Sequence, residues 1–128
     1  MAPGLAWRQA DATVLPAPDR SVDAVVCGFG LLLFADGAAA IREAFRVLRP
    51  GGAYLFNVWG PLADNPAPRI VHETAAAFFP EDPPQFYTIP FGCHDPAPIC
   101  AWLAEAGFVD VAWRRWSGPA RARRRRSP

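Results

Sequence analysis

A strand, a helix and a second strand are written into residues 22–59, and that order leaves few folds open. Val22 to Cys27 is apolar apart from Asp23 and rich in β-branched residues, the composition of a short strand buried on both faces of a parallel sheet. Gly28-Phe29-Gly30 ends it. Asp36 is a helix N-cap. Behind it Ile41, Ala44, Phe45 and Leu48 fall at i, i+3, i+4 and i+7, the apolar stripe of a helix. Arg42, Glu43, Arg46 and Arg49 face away from that stripe. Pro50-Gly51-Gly52 stops the helix, since proline cannot continue it and glycine permits left-handed turn geometry. Ala53 to Trp59 is then a second strand. Two strands joined through a helix make a βαβ unit, with a right-handed crossover expected. The chain is α/β.

The flanks are read less sharply. Leu5 to Gln9 reads as a short strand, and Asp11 to Ser21, with its prolines, as a loop. Pro61 to Pro68 is a proline-rich loop. Ile70, Val71, Thr74 and Phe78 mark a helix ending at Pro80, and Glu81 to Gly92 is expected to be irregular. Asp95-Pro96 opens another helix, an N-cap followed by proline at the first position. Ile99, Trp102, Leu103 and Ala106 form its stripe and Gly107 caps its end. Phe108 to Trp116 is a further expected strand. Gly118 to Pro128 has no periodicity and reads as an Arg-rich disordered tail, leaving 1–117 as the folded domain.

Composition excludes several classes. Of 128 residues 52% are hydrophobic and 20% charged, which fits a globular protein. The net charge is +1, and all 13 basic residues are arginine, five of them in the last eight positions. No module for nucleic acid accompanies that run, and no aromatic residue interleaves it, so neither nucleic acid nor membrane is an expected partner. No apolar run approaches the ~20 residues that span a bilayer. Met1 to Ala6 does not read as a signal peptide. Cys27, Cys93 and Cys100 are odd in number and lack CxxC spacing, which argues against disulfides or a metal site and for a reducing cytoplasm.

Three groups of residues, in order, carry a resemblance: Trp7-Arg8-Gln9-Ala10-Asp11-Ala12 before Leu15-Pro16, then Asp23-Ala24-Val25-Val26, then Leu48-Arg49-Pro50-Gly51-Gly52. With the later Ala106-Gly107-Phe108, this set resembles the class I, Rossmann-like, S-adenosylmethionine-dependent methyltransferases, in the branch that includes quinone-biosynthesis and other small-molecule enzymes. The resemblance runs from about Leu5 to about Trp116. It implies a three-layer αβα fold around a seven-stranded sheet in the order 3-2-1-4-5-7-6. The strands here correspond to the third, fourth, fifth and sixth. The first two are not in this sequence, and the seventh has no visible equivalent.

The resemblance also implies a site. Asp11 and Ala12 match positions that meet the adenine, the carboxylate accepting from an amine and a backbone N–H donating to a ring nitrogen. Cys27, Gly28 and Phe29 end the fourth strand, where ligands of open α/β sheets sit. Their carbonyls would meet the methionine-like amino group. Read from the residues alone, Asp11 is a solvated turn residue and Cys27 a small buried hydrophobe. Residues 60–94 match a substrate lid. Trp59, Phe86, Tyr87 and His94 are candidate acceptor contacts there, with Phe78, Phe79 and Phe91 either lining the same pocket or burying one another as a satellite core. His94 is a candidate general base, although a structural role for it is the plainer reading. No catalytic nucleophile and no metal ligand is named, because alignment and exclusion of water are the main tasks in such a transfer.

Gly28-Phe29-Gly30 is not a dinucleotide fingerprint, and the chain contains no GxGxxG. The expectation is therefore an N-terminally truncated enzyme, its glycine loop encoded upstream of Met1 and its tail altered by a frameshift, with methyl transfer to the small-molecule acceptor impaired. The alternative is a non-catalytic, methyltransferase-like fragment that acts as an interaction module, pairing an exposed sheet edge in a homo-oligomer.

Overall fold

The computed structural model describes residues 4–116; the Arg-rich tail expected at 118–128 lies outside them. Two parallel strands, β1 (Val22–Gly28) and β2 (Leu48–Asn57), are joined through the helix α1 (Gly37–Val47). Three helices follow: α2 (Pro66–Phe78), the single turn α3 (Thr88–Phe91), and α4 (Pro96–Ala106). Short 3-10 turns occupy Leu31–Leu33 and Leu62–Asp64.

The βαβ unit is the one expected, with its boundaries moved. The Asp36 carboxylate accepts the Ala39 N–H at 2.8 Å, so the N-cap stands where the sequence put it. The helix ends at Val47, however, and β2 begins at Leu48, five residues before the expected Ala53. Val22 pairs with Leu48 and Ala24 with Ala53, so residues 49–52 form a bulge in the ladder. Gly51 has φ +80, which only glycine adopts without strain, and Gly52 sits so close to the Arg49 and Asp23 carbonyls that a Cβ would meet them at 2.9 and 3.0 Å. Pro50-Gly51-Gly52 thus bends a strand rather than ending a helix. The remaining register is regular, from Val25 against Tyr54 to Gly28 against Asn57.

One face of this small sheet carries the core. Leu31, Ile41, Ile99 and Leu103 are buried together, with Cys27, Tyr54, Phe56, Val58, Trp102 and Phe108 packed around them. The helices α1 and α4 lie against each other on that side. Burial pushes the Tyr54 hydroxyl pKa up, with Cys27 beside it adding to the effect. The other face is open: Val26 is 76% exposed and Leu55 54%. The expectation that β1 is buried on both faces is therefore corrected, since no helix among the described residues covers its second side.

Two expected strands are absent as well. Leu5 to Gln9 is irregular, with Leu5 and Trp7 exposed. Phe108 to Trp116 is extended but joins no ladder. It is docked by side chains: Phe108 stacks on Tyr54, Trp113 meets Phe56 edge-on and donates its indole N–H to the Cys100 sulfur at 3.0 Å, and Arg115 pairs with Asp64. Neither segment pairs its backbone with the free outer edge of β1 or β2, so neither extends the two-stranded sheet. The fold is α/β and partly Rossmann-like, with two layers and two strands where three layers and four strands were expected.

Elsewhere the local signals hold. Asp95 caps α4 by accepting the Ala97 N–H at 2.9 Å, Pro96 takes the first position, and Gly107 closes the helix at φ +101. The helix α2 starts at Pro66, inside the expected loop, and buries no residue. The helical turn α3 interrupts the segment expected to be irregular.

Candidate functional site at the strand tips

Both strands end side by side, and their carboxyl ends bring four of the expected residues together. Cys27 turns its side chain into the core, as a small hydrophobe does. Gly28, the last residue of β1, faces open space: a Cβ there would meet nothing within 4 Å. Phe29 leaves the strand with φ +55, in the left-handed region that non-glycine residues seldom adopt. Its N–H donates to the Asn57 side-chain oxygen at 2.9 Å. Its ring stacks on Trp59, centroids 4.3 Å apart and planes 21° apart.

Trp59 extends the cluster toward the helical segment. It meets Phe91, ring centroids 5.8 Å apart. The Phe91 carbonyl lies 2.7 Å from His94 Nδ1. A carbonyl only accepts, so Nδ1 is the donor in this contact. Trp59 and His94 line one broad trough, which runs between β2 and the segment from Phe108 to Trp116.

Phe86 and Tyr87 do not join them. They pair edge-to-face with each other, centroids 5.1 Å apart, and Phe86 is exposed. The satellite core expected from the lid aromatics does not form either, because Phe78, Phe79 and Phe86 all face solvent and only Phe91 is buried. A separate cavity of about 490 Å³ lies between the amino ends of α1 and α4, lined by Phe34, Ile89, Cys93, Ile99 and Trp102. None of the expected site residues reaches it.

Asp11 and Ala12 make no hydrogen bond to the strand tips among the described residues. One Asp11 oxygen accepts both the Thr13 N–H, at 2.8 Å, and the Thr13 hydroxyl, at 2.7 Å. These bonds hold the carboxyl below the usual carboxylate range, so it is charged at neutral pH while its other oxygen remains available. The loop that follows is tied to α1. Glu43 accepts the Leu15 N–H at 2.7 Å, and Arg46 donates to the Leu15 and Ala17 carbonyls while pairing with Asp19 and Glu43.

The donor set suits an adenosyl ligand in part: an ionised carboxylate, a free strand tip and an aromatic pair are present. Among the described residues there is no cluster of His, Cys, Asp and Glu fit to hold a metal ion. No helix among them is long and apolar enough to cross a membrane. Sequence reasoning missed Asn57. A lone asparagine at a strand end carries no spacing signal, and only the pairing of Gly28 with Asn57 shows what it faces.

Two parallel strands joined through a helix, with their carboxyl ends side by side, make a partial Rossmann-like unit, and the sequence comparisons find relatives for it. Residues 2–56 match the family described as "Methyltransferase domain". The chain is 50% identical over 54 residues to the "Ubiquinone/menaquinone biosynthesis C-methyltransferase UbiE" of Caulobacter sp. (strain K31), covering 42% of this chain and 21% of that protein. It is 29% identical over 124 residues to the protein of the same name from Proteus mirabilis, covering 89% and 49%. The "Demethylmenaquinone methyltransferase" of Deinococcus radiodurans is 44% identical over 57 residues, covering 44% and 24%. Among solved structures, the YcgJ protein of Bacillus subtilis is similar at a TM-score of 0.40 and 31% identity, over 54% of this chain and 30% of that one. Residues 2–56 are thus similar to the methyltransferase-domain family, and the chain over most of its length is similar to quinone-biosynthesis methyltransferases. It spans less than half the length of each of these relatives.

Proposed function

We propose that this chain contributes to methyl transfer from S-adenosylmethionine to a small-molecule acceptor of the quinone type. The relatives' names support the acceptor class. The observation that carries the reading is the meeting of Gly28 and Phe29 with Asn57 and Trp59 at the carboxyl ends of two parallel strands. When bound, the cofactor supplies a methyl carbon that already bears a good leaving group. The chain's own residues bind and orient. Asp11 and the Ala12 backbone face the adenine, and the backbone of Cys27, Gly28 and Phe29 faces the amino-acid end. Trp59 and His94 lie on the acceptor side, where His94, with its ring neutral, can take a proton from an acidic acceptor. Three free cysteines support a reducing, cytoplasmic setting.

The 128 residues by themselves are expected to hold the cofactor weakly, because no glycine loop is among them. Each missing hydrogen bond removes about 0.5–1.5 kcal/mol, more where charged, so several together weaken binding by orders of magnitude. Titration of the chain with S-adenosylhomocysteine, followed by amide chemical shifts, tests this. Shifts at Asp11, Ala12 and Cys27 to Phe29 with a millimolar midpoint are expected. Shifts confined to another surface, or none at all, would remove the reading. A low-micromolar midpoint would keep the site and overturn the weak grip.

One observation favours a second reading, that of an interaction module. Among the described residues β1 pairs only with β2, and the open sheet face exposes Val26 and Leu55. A homo-oligomer formed there would sediment as a concentration-dependent larger species, whereas a monomer at all concentrations argues against it.

A further inference from the structure

We propose that Asn57 is the positioning residue of the strand-tip site: its side chain holds Phe29, and through Phe29 it sets the main chain and the aromatic surface that face the ligand. The inference rests on the site described above, but its central measurement needs no ligand.

The ladder between β1 and β2 ends at the pair Gly28 and Asn57. One residue later the chain must turn away, and it does so with Phe29 at φ +55. That conformation is costly for an aromatic residue and persists only where its surroundings over-determine it. The turn also takes the Phe29 N–H out of the ladder. The Asn57 carboxamide oxygen receives it at 2.9 Å, replacing the backbone acceptor that the strand no longer offers. The donor being an N–H, the atom facing it must be the oxygen of the carboxamide.

The second restraint comes from the same strand end. Trp59 lies two residues beyond Asn57 and receives the Phe29 ring at 4.3 Å. The hydrogen bond and the stack close a small circuit: Phe29 to Asn57, along the chain to Trp59, and back to Phe29. Beyond it the contacts run through Phe91 to His94. Phe29 is therefore fixed by backbone and by ring at once. Release of either turns the Gly28–Phe29 peptide, whose groups border the open space at Gly28.

Strand stability gives no reason for an asparagine here. The residue is exposed and belongs to a type depleted in strands. An acceptor aimed at a backbone that has left the ladder does give one.

The test compares Asn57→Leu, which keeps the size and loses the acceptor, with Asn57→Asp, which keeps the acceptor. Both are made in the 128-residue chain and read by NMR without ligand. In the leucine variant the Phe29 amide should exchange about tenfold faster, the effect of losing one hydrogen bond. Its Cα shift should also leave the left-handed range, and the Trp59 ring signals should move. The aspartate variant should stay within about twofold of the parent, with Ile41 and Ile99 amides unchanged in both variants. A leucine variant with parental exchange and shifts at Phe29, or an aspartate variant no better than leucine, overturns the proposal. Should Asn57→Leu fail to fold, Phe29→Gly added to it should restore folding, since glycine adopts this backbone freely. A double variant that stays unfolded also overturns the proposal.

With S-adenosylhomocysteine the leucine variant should bind about tenfold more weakly than the aspartate one, the same lost hydrogen bond read at the ligand. Equal binding by the two removes the link between the pin and the site. If the parent shows no shifts with this ligand, the methyl-transfer reading falls, while the exchange data still decide the role of Asn57.

Discussion

Glu43 and Arg46 stand one helical turn apart on α1 and grip the same loop from two sides. Glu43 Oε1 accepts the Leu15 N–H at 2.7 Å and an Arg46 N–H at 2.6 Å, while Arg46 donates onward to the carbonyls of Leu15 and Ala17. This pair holds the segment that leads from the Asp11 turn to β1. Arg46→Ala should free the segment, so that trypsin cuts after the exposed Arg20 several-fold faster with α4 still intact. Arg46→Lys should recover only part of the protection, because a point charge cannot serve the same set of carbonyls. Unchanged cleavage in the alanine variant would show that the prolines alone hold the loop.

The same contact makes the loop sensitive to acid. The Arg46 hydrogen bond, together with the Leu15 N–H, holds the Glu43 carboxyl below the usual range, against the opposing effect of burial. A group depressed in the folded state contributes stability that is complete above its unfolded pKa and is lost as pH falls through the folded one. The loss should therefore begin near the ordinary glutamate value of about 4.3 and finish below the depressed native one. Glu43→Gln should flatten that limb of a pH-dependent urea melt. Asp11, held down by Thr13, should contribute in the same direction.

Ile41 is the residue on which the two helices and the sheet converge, and it is 0% exposed. Ile41→Val should cost about 0.5–1.5 kcal/mol and Ile41→Ala about 2–5 kcal/mol. With so few buried side chains sharing the core, the alanine variant should lose its cooperative urea transition altogether. A variant that still melts cooperatively near the parental midpoint would mean that the core does not centre here.

Gly107 and Gly51 separate two costs of a side chain. Both have positive φ, but a Cβ at Gly51 meets nothing, whereas one at Gly107 lies 3.0 Å from the Phe45 ring. Gly51→Ala should cost about 1–2 kcal/mol, the price of the left-handed backbone alone. Gly107→Ala should cost more, since Phe45 must also shift from its edge-on contact with Phe108. Equal midpoints in thermal melts of the two variants would show that the ring moves freely.

The legible parts of this protein are those whose cause is local. Asp36 and Asp95 cap helices because a carboxylate two or three residues before an unpaired N–H reaches it wherever the helix lies. Gly107 ends α4 for a similarly local reason. The motif set around Asp23-Ala24-Val25-Val26 and Leu48-Arg49-Pro50-Gly51-Gly52 pointed to the family that the comparisons support. The stripe of α1 was legible at Ile41 and Ala44, whereas Phe45 is exposed, Ala40 and Val47 are buried beside them, and Leu48 belongs to the strand.

The illegible parts depend on a partner distant in sequence. Where β2 begins was settled by Val22, which pairs with Leu48 and turns the Pro-Gly-Gly segment into a bulge. Leu5 to Gln9 and Phe108 to Trp116 have strand-like composition without a ladder, since an alternating pattern supplies side chains and not a neighbouring backbone edge. Phe86 and Tyr87 looked like companions of Trp59, yet the turn α3 brings Phe91 there instead.

Sequence alone determined the helix caps, the βαβ order and the family resemblance, because each is carried by residues adjacent in the chain or by an ordered set of short motifs. Tertiary structure alone decided the strand register, the open sheet face and the meeting of Asn57 with Phe29. Those depend on which backbone groups of distant segments come within hydrogen-bonding reach, and on that reach a linear pattern is silent.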